Sequence, residues 1–288
     1  MDDHKRLAVV VNSSAGSANE PHLADHLREC FEGVVILDVG DGDLIETLRE
    51  AATYDIMGIV GGDGSVNAAV EVALETGTPL AVVPGGTLNH FARDIALESM
   101  ETTQAAIAAG RTAVIDVGLI DGAPFVNTAS FGSYPELVDE RERRENRLGK
   151  WPALAIAMGK VMRTMTPTAV SINGRRTSVW LFFAGNCRYD PPGLAPLNRA
   201  RLDDGLIDLR WIDASVPFGR TRTFLAMLTG PRGRSRAVKT LVGERFEIVS
   251  HEGPLRLARD GETFDGGECI VIEKHPKGVQ VYVGWADR

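Results

Sequence analysis

Short apolar runs alternate with segments of helical spacing along the first part of the chain. The runs, rich in valine, isoleucine and leucine, are Leu7–Val11, Val34–Val39, Ile56–Val60 and Leu80–Val83. Between them, apolar residues recur every three or four positions, as on the buried face of a helix; these series begin at Leu23, Leu44 and Val66. Because apolar strands joined by helices are typical of parallel sheets covered on both faces, the pattern predicts an α/β domain with a mostly parallel sheet.

After Ile115 the pattern changes to short strands separated by turn residues, with helical stretches at Leu137–Thr164 and Phe218–Leu228. This spacing predicts a largely antiparallel, β-sandwich-like second domain. Its predicted strands are Val114–Ile120, Pro124–Thr128, Ala169–Ile172, Val179–Ala184, Ile207–Ile212, Arg245–Val249, Leu255–Ala258 and Cys269–Glu273.

The predicted boundary between the two domains falls near residue 118. We expect an α/β domain over residues 1–118 and a β-rich domain over residues 119–274. A last strand, Gln280–Gly284, fits either domain, so residues 275–288 are a candidate for completing the first one.

Composition narrows the class of protein. A net charge of −8 over 288 residues gives no basic footprint, which argues against a nucleic-acid partner. Three widely spaced cysteines (Cys30, Cys187 and Cys269) indicate reduced intracellular thiols rather than a disulfide framework. No apolar segment approaches the length of about 20 residues that a spanning helix needs, so we expect a cytoplasmic protein.

A glycine-rich loop follows the strand Ile56–Val60. It consists of Gly61, Gly62, Asp63, Gly64, Ser65, Val66 and Asn67. Glycines let the backbone approach phosphate oxygens, and the N–H groups at the start of the next helix would attract an anion. The alternative is a tight strand–helix turn with Asp63 as its cap.

Two further loops follow neighbouring strands and strengthen the phosphate hypothesis. Pro84–Arg93 begins with two glycines and contains Thr87 and Asn89, which could equally be a helix cap. The loop after the first strand is Asn12, Ser13, Ser14, Ala15 and Gly16. Because ligands bind at the carboxyl ends of strands in α/β sheets, these loops predict one nucleotide-phosphate site.

Together with Leu202–Asp208 and Asp260–Glu262, the loops at Gly61 and Pro84 resemble, in order, the motifs of diacylglycerol kinase catalytic-domain proteins. The chain is most similar in this respect to the soluble bacterial lipid kinases related to sphingosine and ceramide kinases. The resemblance implies an NAD-kinase-like α/β domain, ATP as phosphoryl donor and Mg²⁺ as its metal. Ser13 stands where the family usually has proline, and Ser65 where it usually has threonine.

The resemblance also assigns chemical roles, of which the proton acceptor stays open. It implies that Glu262 is the general base for the lipid hydroxyl, with Asp63 as the rival base and Asp260 as a residue that steers magnesium. It implies a second magnesium site at the Asp204 carboxylate and the backbone carbonyls of Arg201 and Leu206. The alternatives are an acidic β-turn at Asp260 and an Asp-Gly hairpin turn at Asp204.

One stretch stands out against the acidic background. From Ala214 to Gly243 there is no acidic residue, while six arginines and lysines are interleaved with apolar side chains. Such a stretch either contacts an anionic membrane surface transiently or is a solvated arginine face over a core helix.

The leading hypothesis is an ATP- and magnesium-dependent lipid kinase that phosphorylates a lipid hydroxyl such as that of diacylglycerol. The alternatives are an NAD kinase-like small-molecule kinase and a non-catalytic lipid- or nucleotide-binding regulator. The sequence does not identify the lipid, and it leaves the oligomeric state open, with a homodimer among the expectations.

Overall fold

The structure, a computed structural model, describes residues 6–12, 22–86, 89–132, 166–190, 198–219 and 235–285. The chain divides into two compact units. Unit 1 consists of residues 1–117 and 275–288, and unit 2 of residues 118–274. Strands and helices are numbered below in chain order.

Unit 1 contains a six-stranded sheet with the order β2-β1-β3-β4-β19-β5. The pairs from β2 to β19 are parallel, and β5 is antiparallel to β19. Its strands are β1 (Leu7–Val11), β2 (Val35–Asp38), β3 (Ile56–Gly61), β4 (Leu80–Pro84), β5 (Thr112–Ile115) and β19 (Val279–Tyr282). Its helices are α1 (Leu23–Cys30), α2 (Leu44–Ala51), α3 (Asp63–Thr76), α4 (His90–Asp94) and α5 (Met100–Ala108). The predicted mostly parallel α/β sheet is confirmed.

The helices of unit 1 begin and end where local chemistry favours it. The Asp43 side chain accepts a hydrogen bond from the N–H of Glu46 and so caps α2. Ser99 and Thr102 form a reciprocal capping box at the start of α5. Helix α3 ends at Gly77, whose φ of 75° is the left-handed conformation that glycine adopts without strain. These ends fix the lengths of the βα connections and hence the positions of the loops at the sheet edge.

The last strand belongs to the first sheet. β19 lies between β4 and β5, parallel to β4 and antiparallel to β5. Its residues Val279, Val281 and Tyr282 are buried. The C-terminal segment therefore completes a sheet whose other strands come from the beginning of the chain.

Unit 2 is built on an antiparallel sheet of eleven strands. They are β6 (Gly118–Ile120), β7 (Ala123–Phe125), β8 (Thr128–Gly132), β9 (Thr168–Ile172), β10 (Arg175–Asn186), β13 (Ile207–Asp213), β14 (Val238–Gly243), β15 (Arg245–Ser250), β16 (Arg256–Arg259), β17 (Glu262–Asp265) and β18 (Cys269–Lys274). A small separate pair consists of β11 (Tyr189–Asp190) and β12 (Asn198–Arg199). The antiparallel second domain predicted from the strand spacing is confirmed.

The core of unit 2 draws on strands from both ends of the sheet. Phe125 on β7 and Leu257 on β16 lie near opposite ends of the strand order but belong to one buried cluster. The sheet must therefore fold over on itself to enclose them. At the centre of this core the rings of Phe131 and Phe182 stack with centroids 4.6 Å apart.

Two predicted helices fall largely on residues that the structure does not describe. Leu137–Thr164 lies wholly outside the described residues. Of Phe218–Leu228, only Phe218 and Gly219 are described; Phe218 lies in a turn with a φ of 57°, and Gly219 is helical. Within the described part of the chain, no helix is long and apolar enough to cross a membrane.

Candidate active site

The loops that follow β3 and β4 meet at the carboxyl edge of the unit 1 sheet. Gly61 pairs with Pro84 in the parallel register, and the N–H of Gly85 donates to the carbonyl of Gly61 over 3.0 Å. Because both loops start from this pairing, the two glycine motifs lie side by side, as the sequence predicted. This edge of the sheet is where an α/β protein binds its ligand.

Two of the glycines are required by contacts between and within the loops, and a third is tightly packed. A Cβ at Gly86 would lie 2.6 Å from the Cα of Gly62, and one at Gly85 would lie 3.0 Å from the nitrogen of Gly61. A Cβ at Gly61 would lie 2.6 Å from the Cβ of Ser65. The two distances of 2.6 Å are shorter than carbon–carbon contacts allow, so the loops pack this closely only with glycine at Gly61 and Gly86.

Gly62 is different, since it has room for a side chain. Its φ is −87°, and the nearest atom to a Cβ there would be the Cα of Gly86 at 3.4 Å, an ordinary van der Waals contact. Gly62 is also the residue that precedes α3, whose first N–H groups have no partner within the helix. A side chain at Gly62 would therefore be compatible with the fold while adding bulk beside those N–H groups.

Polar side chains connect the start of α3 with β1. The Asn12 Nδ2 donates to the Ser65 hydroxyl over 3.4 Å, and Ser65 and Asn67 are buried in the first turns of α3. Gly64 and Val66 complete this first turn, with Val66 buried. Ser13, Ser14, Ala15, Gly16 and Thr87 lie outside the described residues.

Asp63 and Asn89 hold the second loop. The Asn89 side chain accepts from the N–H of Gly86 over 2.9 Å and donates to the carbonyl of Gly86 over 2.7 Å. The Asp63 carboxylate accepts from the N–H groups of His90 (3.4 Å) and Phe91 (3.3 Å), the first residues of α4. A carboxylate at a helix N-terminus is electrostatically favourable, so Asp63 joins the starts of α3 and α4.

In unit 2, the Asp-Gly-Glu motif forms a tight hairpin between β16 and β17. Asp260 and Gly261 have φ values of 45° and 96°, and Arg259 pairs with Glu262. Positive φ at both central residues identifies a type I′ turn, which glycine and aspartate adopt more easily than other residues. The turn therefore fixes the backbone of Glu262 at the first position of β17.

The Asp260 carboxylate accepts three backbone hydrogen bonds, each 2.8 Å long. The donors are the N–H groups of Val126, Asn127 and Thr128, in the connection between β7 and β8. The N–H of Asp260 in turn donates to the carbonyl of Thr128 over 2.8 Å. Asp260 thus ties the hairpin to residues 126–128.

Glu262 differs from Asp260, because none of these hydrogen bonds is made by its carboxylate. It is exposed, and in the part of the chain that the structure describes its carboxylate forms no hydrogen bond or ion pair. A carboxylate on a rigid turn with no protein partner can accept a proton from an incoming hydroxyl.

Arg199 contacts the same segment from its carbonyl side, and sequence reasoning missed it. Its Nη1 donates to the carbonyl oxygens of Val126 (2.6 Å) and Asn186 (3.1 Å), and its Nη2 to the Oδ1 of Asn127 (3.0 Å). Arg199 is 8% exposed. Asp260 and Arg199 therefore hold residues 126–128 from opposite sides of the peptide groups; we call these two residues the Asp260–Arg199 clamp.

A second buried charge pair supports this part of unit 2. The side chains of Asp208 and Arg210 are 1% and 2% exposed, and the Arg210 Nη2 lies 2.5 Å from the Asp208 Oδ2. Asp208 also accepts from the N–H of Tyr189 over 3.0 Å, and Arg210 donates to the carbonyl of Tyr189 over 2.6 Å. The signal in the sequence was an aspartate and an arginine two positions apart in the apolar strand Ile207–Ile212, which places both on one face.

The Asp204 carboxylate is engaged by backbone donors. It accepts from the N–H of Arg188 over 2.8 Å and from the N–H of Leu206 over 2.9 Å, while the Leu206 carbonyl accepts from the N–H of Cys187. Arg201 forms an exposed ion pair with Asp203. Gly205, with a φ of 72°, lies in an Asx turn that begins at Asp204. The hydrogen bonds to the Asp204 carboxylate account for this turn without a metal. The Asp204 carboxylate and the Leu206 carbonyl are oxygen ligands of the kind that magnesium prefers.

Burial raises the pKa of the Asp260 carboxyl to about 6, and the N–H groups of residues 126–128 and the charge of Arg199 oppose this rise. The native pKa lies above that of an unfolded aspartate, so the folded state holds this proton more tightly. The contribution of the group to stability is therefore fully present below about pH 4 and is lost as the pH rises through about 6.

We expect this titration to be visible in the Asp260→Asn variant, whose side chain stays neutral. The difference in unfolding free energy between the native protein and the variant should fall by about 2 kcal/mol between pH 4 and pH 7. Urea unfolding at intermediate pH values measures it. A difference that stays constant over this range would contradict a raised pKa.

Comparison with known proteins agrees with this geometry. The model of the diacylglycerol kinase catalytic domain matches residues 6–120. The diacylglycerol kinase of Bacillus subtilis is 29% identical, over 94% of this chain and 95% of its own length. The structure of a diacylglycerol kinase from Bacillus anthracis covers 98% of both chains with a TM-score of 0.68 at 18% identity. An NAD kinase from Archaeoglobus fulgidus, solved in complex with ATP, covers 96% of this chain and 93% of its own with a TM-score of 0.54 at 13% identity.

The structural likenesses show the fold, and the implied NAD-kinase-like fold is confirmed. The sequence matches extend the same relationship over nearly the whole chain. The resemblance drawn from the motifs is thereby confirmed: residues 6–120 match the diacylglycerol kinase catalytic domain, and nearly the whole chain is similar to a bacterial diacylglycerol kinase.

Proposed function

We propose that the protein is an ATP- and magnesium-dependent lipid kinase that transfers the γ-phosphoryl group of ATP to a lipid hydroxyl such as that of diacylglycerol. The observation that carries the proposal is the convergence of the loops after β3 and β4 at one sheet edge, within the residues that match the catalytic-domain model. The diacylglycerol kinases among the relatives support the lipid acceptor.

In this proposal unit 1 binds the nucleotide. The first N–H groups of α3, which have no acceptor within the helix, would donate to phosphate oxygens, and the positive end of the helix dipole would favour the negative charge of the phosphates. Ser65 adds a hydroxyl. Asp63 keeps α3 and α4 in register, and Asn89 fixes the loop between them.

Glu262 is the proposed proton acceptor. The lipid O–H proton would pass to the Glu262 carboxylate while the lipid oxygen forms its bond to the γ-phosphorus. The bond from that phosphorus to the bridging oxygen breaks, and ADP leaves with its magnesium. Catalysis of this kind depends chiefly on positioning and electrostatics, so a rigid turn under Glu262 is what the reaction requires.

Magnesium would enter with ATP as part of the substrate. A second ion at Asp204 and the carbonyls of Arg201 and Leu206 stays within the proposal, since magnesium prefers oxygen ligands. The hydrogen bonds that Asp204 already makes would then serve to orient its carboxylate.

The decisive assay offers radiolabelled ATP and magnesium to the protein with a panel of lipids in mixed micelles, and with NAD in a separate reaction. Transfer to a lipid supports the proposal. Transfer to NAD alone would favour the NAD kinase-like function that the shared fold makes the second candidate. Absence of transfer to any acceptor, together with nucleotide binding, would favour a non-catalytic regulator.

The contrast between Gly62 and Gly86 tests the nucleotide loop. Gly62→Ala should fold with a melting temperature close to that of the native protein, since the added Cβ meets nothing nearer than 3.4 Å, but should bind ATP more weakly. Gly86→Ala should lose stability, because its Cβ would lie 2.6 Å from backbone. Calorimetric ATP titration and thermal unfolding measure both. Unchanged ATP affinity in folded Gly62→Ala would count against phosphate binding here.

A further inference from the structure

Exposed apolar side chains are concentrated in one region of unit 2. Among the described residues, the large hydrophobic side chains that are exposed are Val114, Phe218, Leu241 and Val242. Three of these four lie between residues 218 and 242. Since isolated apolar residues on a surface need no explanation but a cluster does, this region is a candidate contact surface.

Phe218 lies in a turn that local hydrogen bonds stabilise. Its side chain is 79% exposed, and its φ of 57° is unfavourable for a bulky residue. The Asp213 carboxylate accepts from the N–H and hydroxyl of Ser215, and the N–H of Gly219 donates to the carbonyl of Val216. A Cβ at Gly219 would lie 3.2 Å from the Cβ of Ala237, so the turn packs directly against the residue before β14.

Strand β14 continues the surface from that point. Lys239, Thr240, Leu241 and Val242 are all exposed, although successive residues of a strand point to opposite faces. β14 pairs with β13 on one side, and no other described strand pairs with it. From Ala237 to Val242 an extended strand covers about 17 Å. Lys239 and Leu241, two positions apart, share one face of β14, and together with Phe218 and Arg236 they form what we call the Phe218 surface.

The charges of this surface are opposite to those of the whole protein. Arg236 and Lys239 are exposed, and neither forms an ion pair within the described part of the chain. The sequence has no acidic residue from Ala214 to Gly243, whereas the chain as a whole carries a net charge of −8. An acidic protein is therefore cationic at the place where its apolar side chains are exposed.

We propose that the Phe218 surface binds the surface of a bilayer that contains anionic lipids. The ring of Phe218 would enter the layer between the headgroups, and Arg236 and Lys239 would pair with anionic headgroups. A second copy of the chain is the weaker occupant, because pairing the two surfaces would bring cation against cation. The proposal concerns binding alone and holds whether or not the protein phosphorylates a lipid.

The experiment measures sedimentation of the full chain with vesicles, in the absence of ATP. One set of vesicles contains phosphatidylcholine alone, and the other contains phosphatidylcholine with phosphatidylglycerol; neither contains diacylglycerol. We expect the native protein to bind the anionic vesicles and to bind the neutral ones much more weakly, with an affinity that falls as salt is added.

Two variants test the residues. Phe218→Asn removes the ring and suits the left-handed backbone, so it should fold while weakening vesicle binding about tenfold. Lys239→Gln should weaken binding to anionic vesicles about fivefold and reduce the salt dependence. The matched controls are in unit 1: Val114→Thr changes an exposed apolar residue and Lys277→Gln an exposed cation, and both should bind as the native protein does.

Several results would overturn the proposal. They are equal binding of the native protein to neutral and anionic vesicles, native-like binding by Phe218→Asn and Lys239→Gln, or a loss of binding in the two controls as large as in these variants. A dimer in solution that Phe218→Asn converts to a monomer would assign the surface to a second copy of the chain instead.

Discussion

The Glu262→Gln variant is expected to lose about 10²–10⁴-fold in kcat for lipid phosphorylation, while its ATP affinity and melting temperature stay unchanged. Glu262 is exposed and forms no hydrogen bond or ion pair among the described residues, so the amide removes proton-accepting capacity without breaking a contact. Steady-state kinetics on the best lipid acceptor, with calorimetric ATP titration, separates the two effects.

Asp265→Asn is the matched control for this variant. Asp265 is an exposed carboxylate on the same strand, and its partner is the exposed Arg256. Its loss should leave turnover and ATP binding within twofold of the native values, because surface ion pairs contribute little to stability.

Asp63→Asn should behave differently from both variants. The Asp63 carboxylate accepts from the first N–H groups of α4, so the amide weakens the connection between the two loops. Turnover and ATP affinity should therefore fall together. Near-normal turnover of Glu262→Gln, combined with an inactive Asp63→Asn that binds ATP normally, would instead assign the base to Asp63.

The periodicity of the sequence was enough to predict four of the six strands of the unit 1 sheet, β1 to β4, whereas β5 was merged into the predicted second-domain strand Val114–Ile120. β1 and β3 are buried along their full length, and a strand with both faces covered appears as an uninterrupted apolar run. The place of β19 was not predictable, because its apolar residues suit either sheet. Only its pairing with β4 and β5, formed by residues distant in sequence, decides it.

The sequence placed the glycine motifs after β3 and β4, but it did not predict the contacts between the two loops. Sequence reasoning attributed the glycines to close approach by phosphate. Gly86 and Gly62, however, are 24 positions apart in the chain, and a Cβ on one would collide with the other. This contact depends on the register between β3 and β4, and that register cannot be inferred from a local sequence pattern.

The hydrogen bonds of Asp260 in unit 2 were likewise not predictable from the local sequence. The sequence assigned it to magnesium, which stays a prediction, whereas its carboxylate accepts from the N–H groups of residues 126–128. Those residues precede it by more than 130 positions. Arg199, on the other side of the same segment, lies in a part of the chain where no motif marks it.

The Asp260–Arg199 clamp provides the largest expected effect on stability. Arg199→Met removes the donor from the carbonyls of Val126 and Asn186 and the Oδ1 of Asn127, and it leaves the buried Asp260 carboxylate without its nearby cation. Hydrogen bonds from a charged donor contribute about 1.5–3 kcal/mol each, and Arg199 donates three, so we expect an unfolding free energy lower by about 3–5 kcal/mol. Arg256→Met, which breaks the exposed pair with Asp265, should cost less than about 1 kcal/mol.

A double-variant cycle distinguishes a coupled clamp from two independent contacts. If Asp260 and Arg199 act through the same peptide segment, Asp260→Asn should cost less in the Arg199→Met background, with a coupling energy of about 0.5–3 kcal/mol. Arg199→Lys, which keeps the charge but loses the fork of donors, provides a folded variant should the methionine protein not fold.

The kinetic consequence follows from where the hairpin is anchored. Because Asp260 fixes the turn that presents Glu262, Arg199→Lys should lower kcat for lipid phosphorylation and leave ATP affinity unchanged. Arg199→Met should raise the pKa of Asp260 further above its native value of about 6, because it removes the cation that opposes that rise. The loss of stability with pH should accordingly move to higher pH in this variant. Additive free energies in the cycle, with a pH profile that does not move, would show that Arg199 only fills space beside residues 126–128.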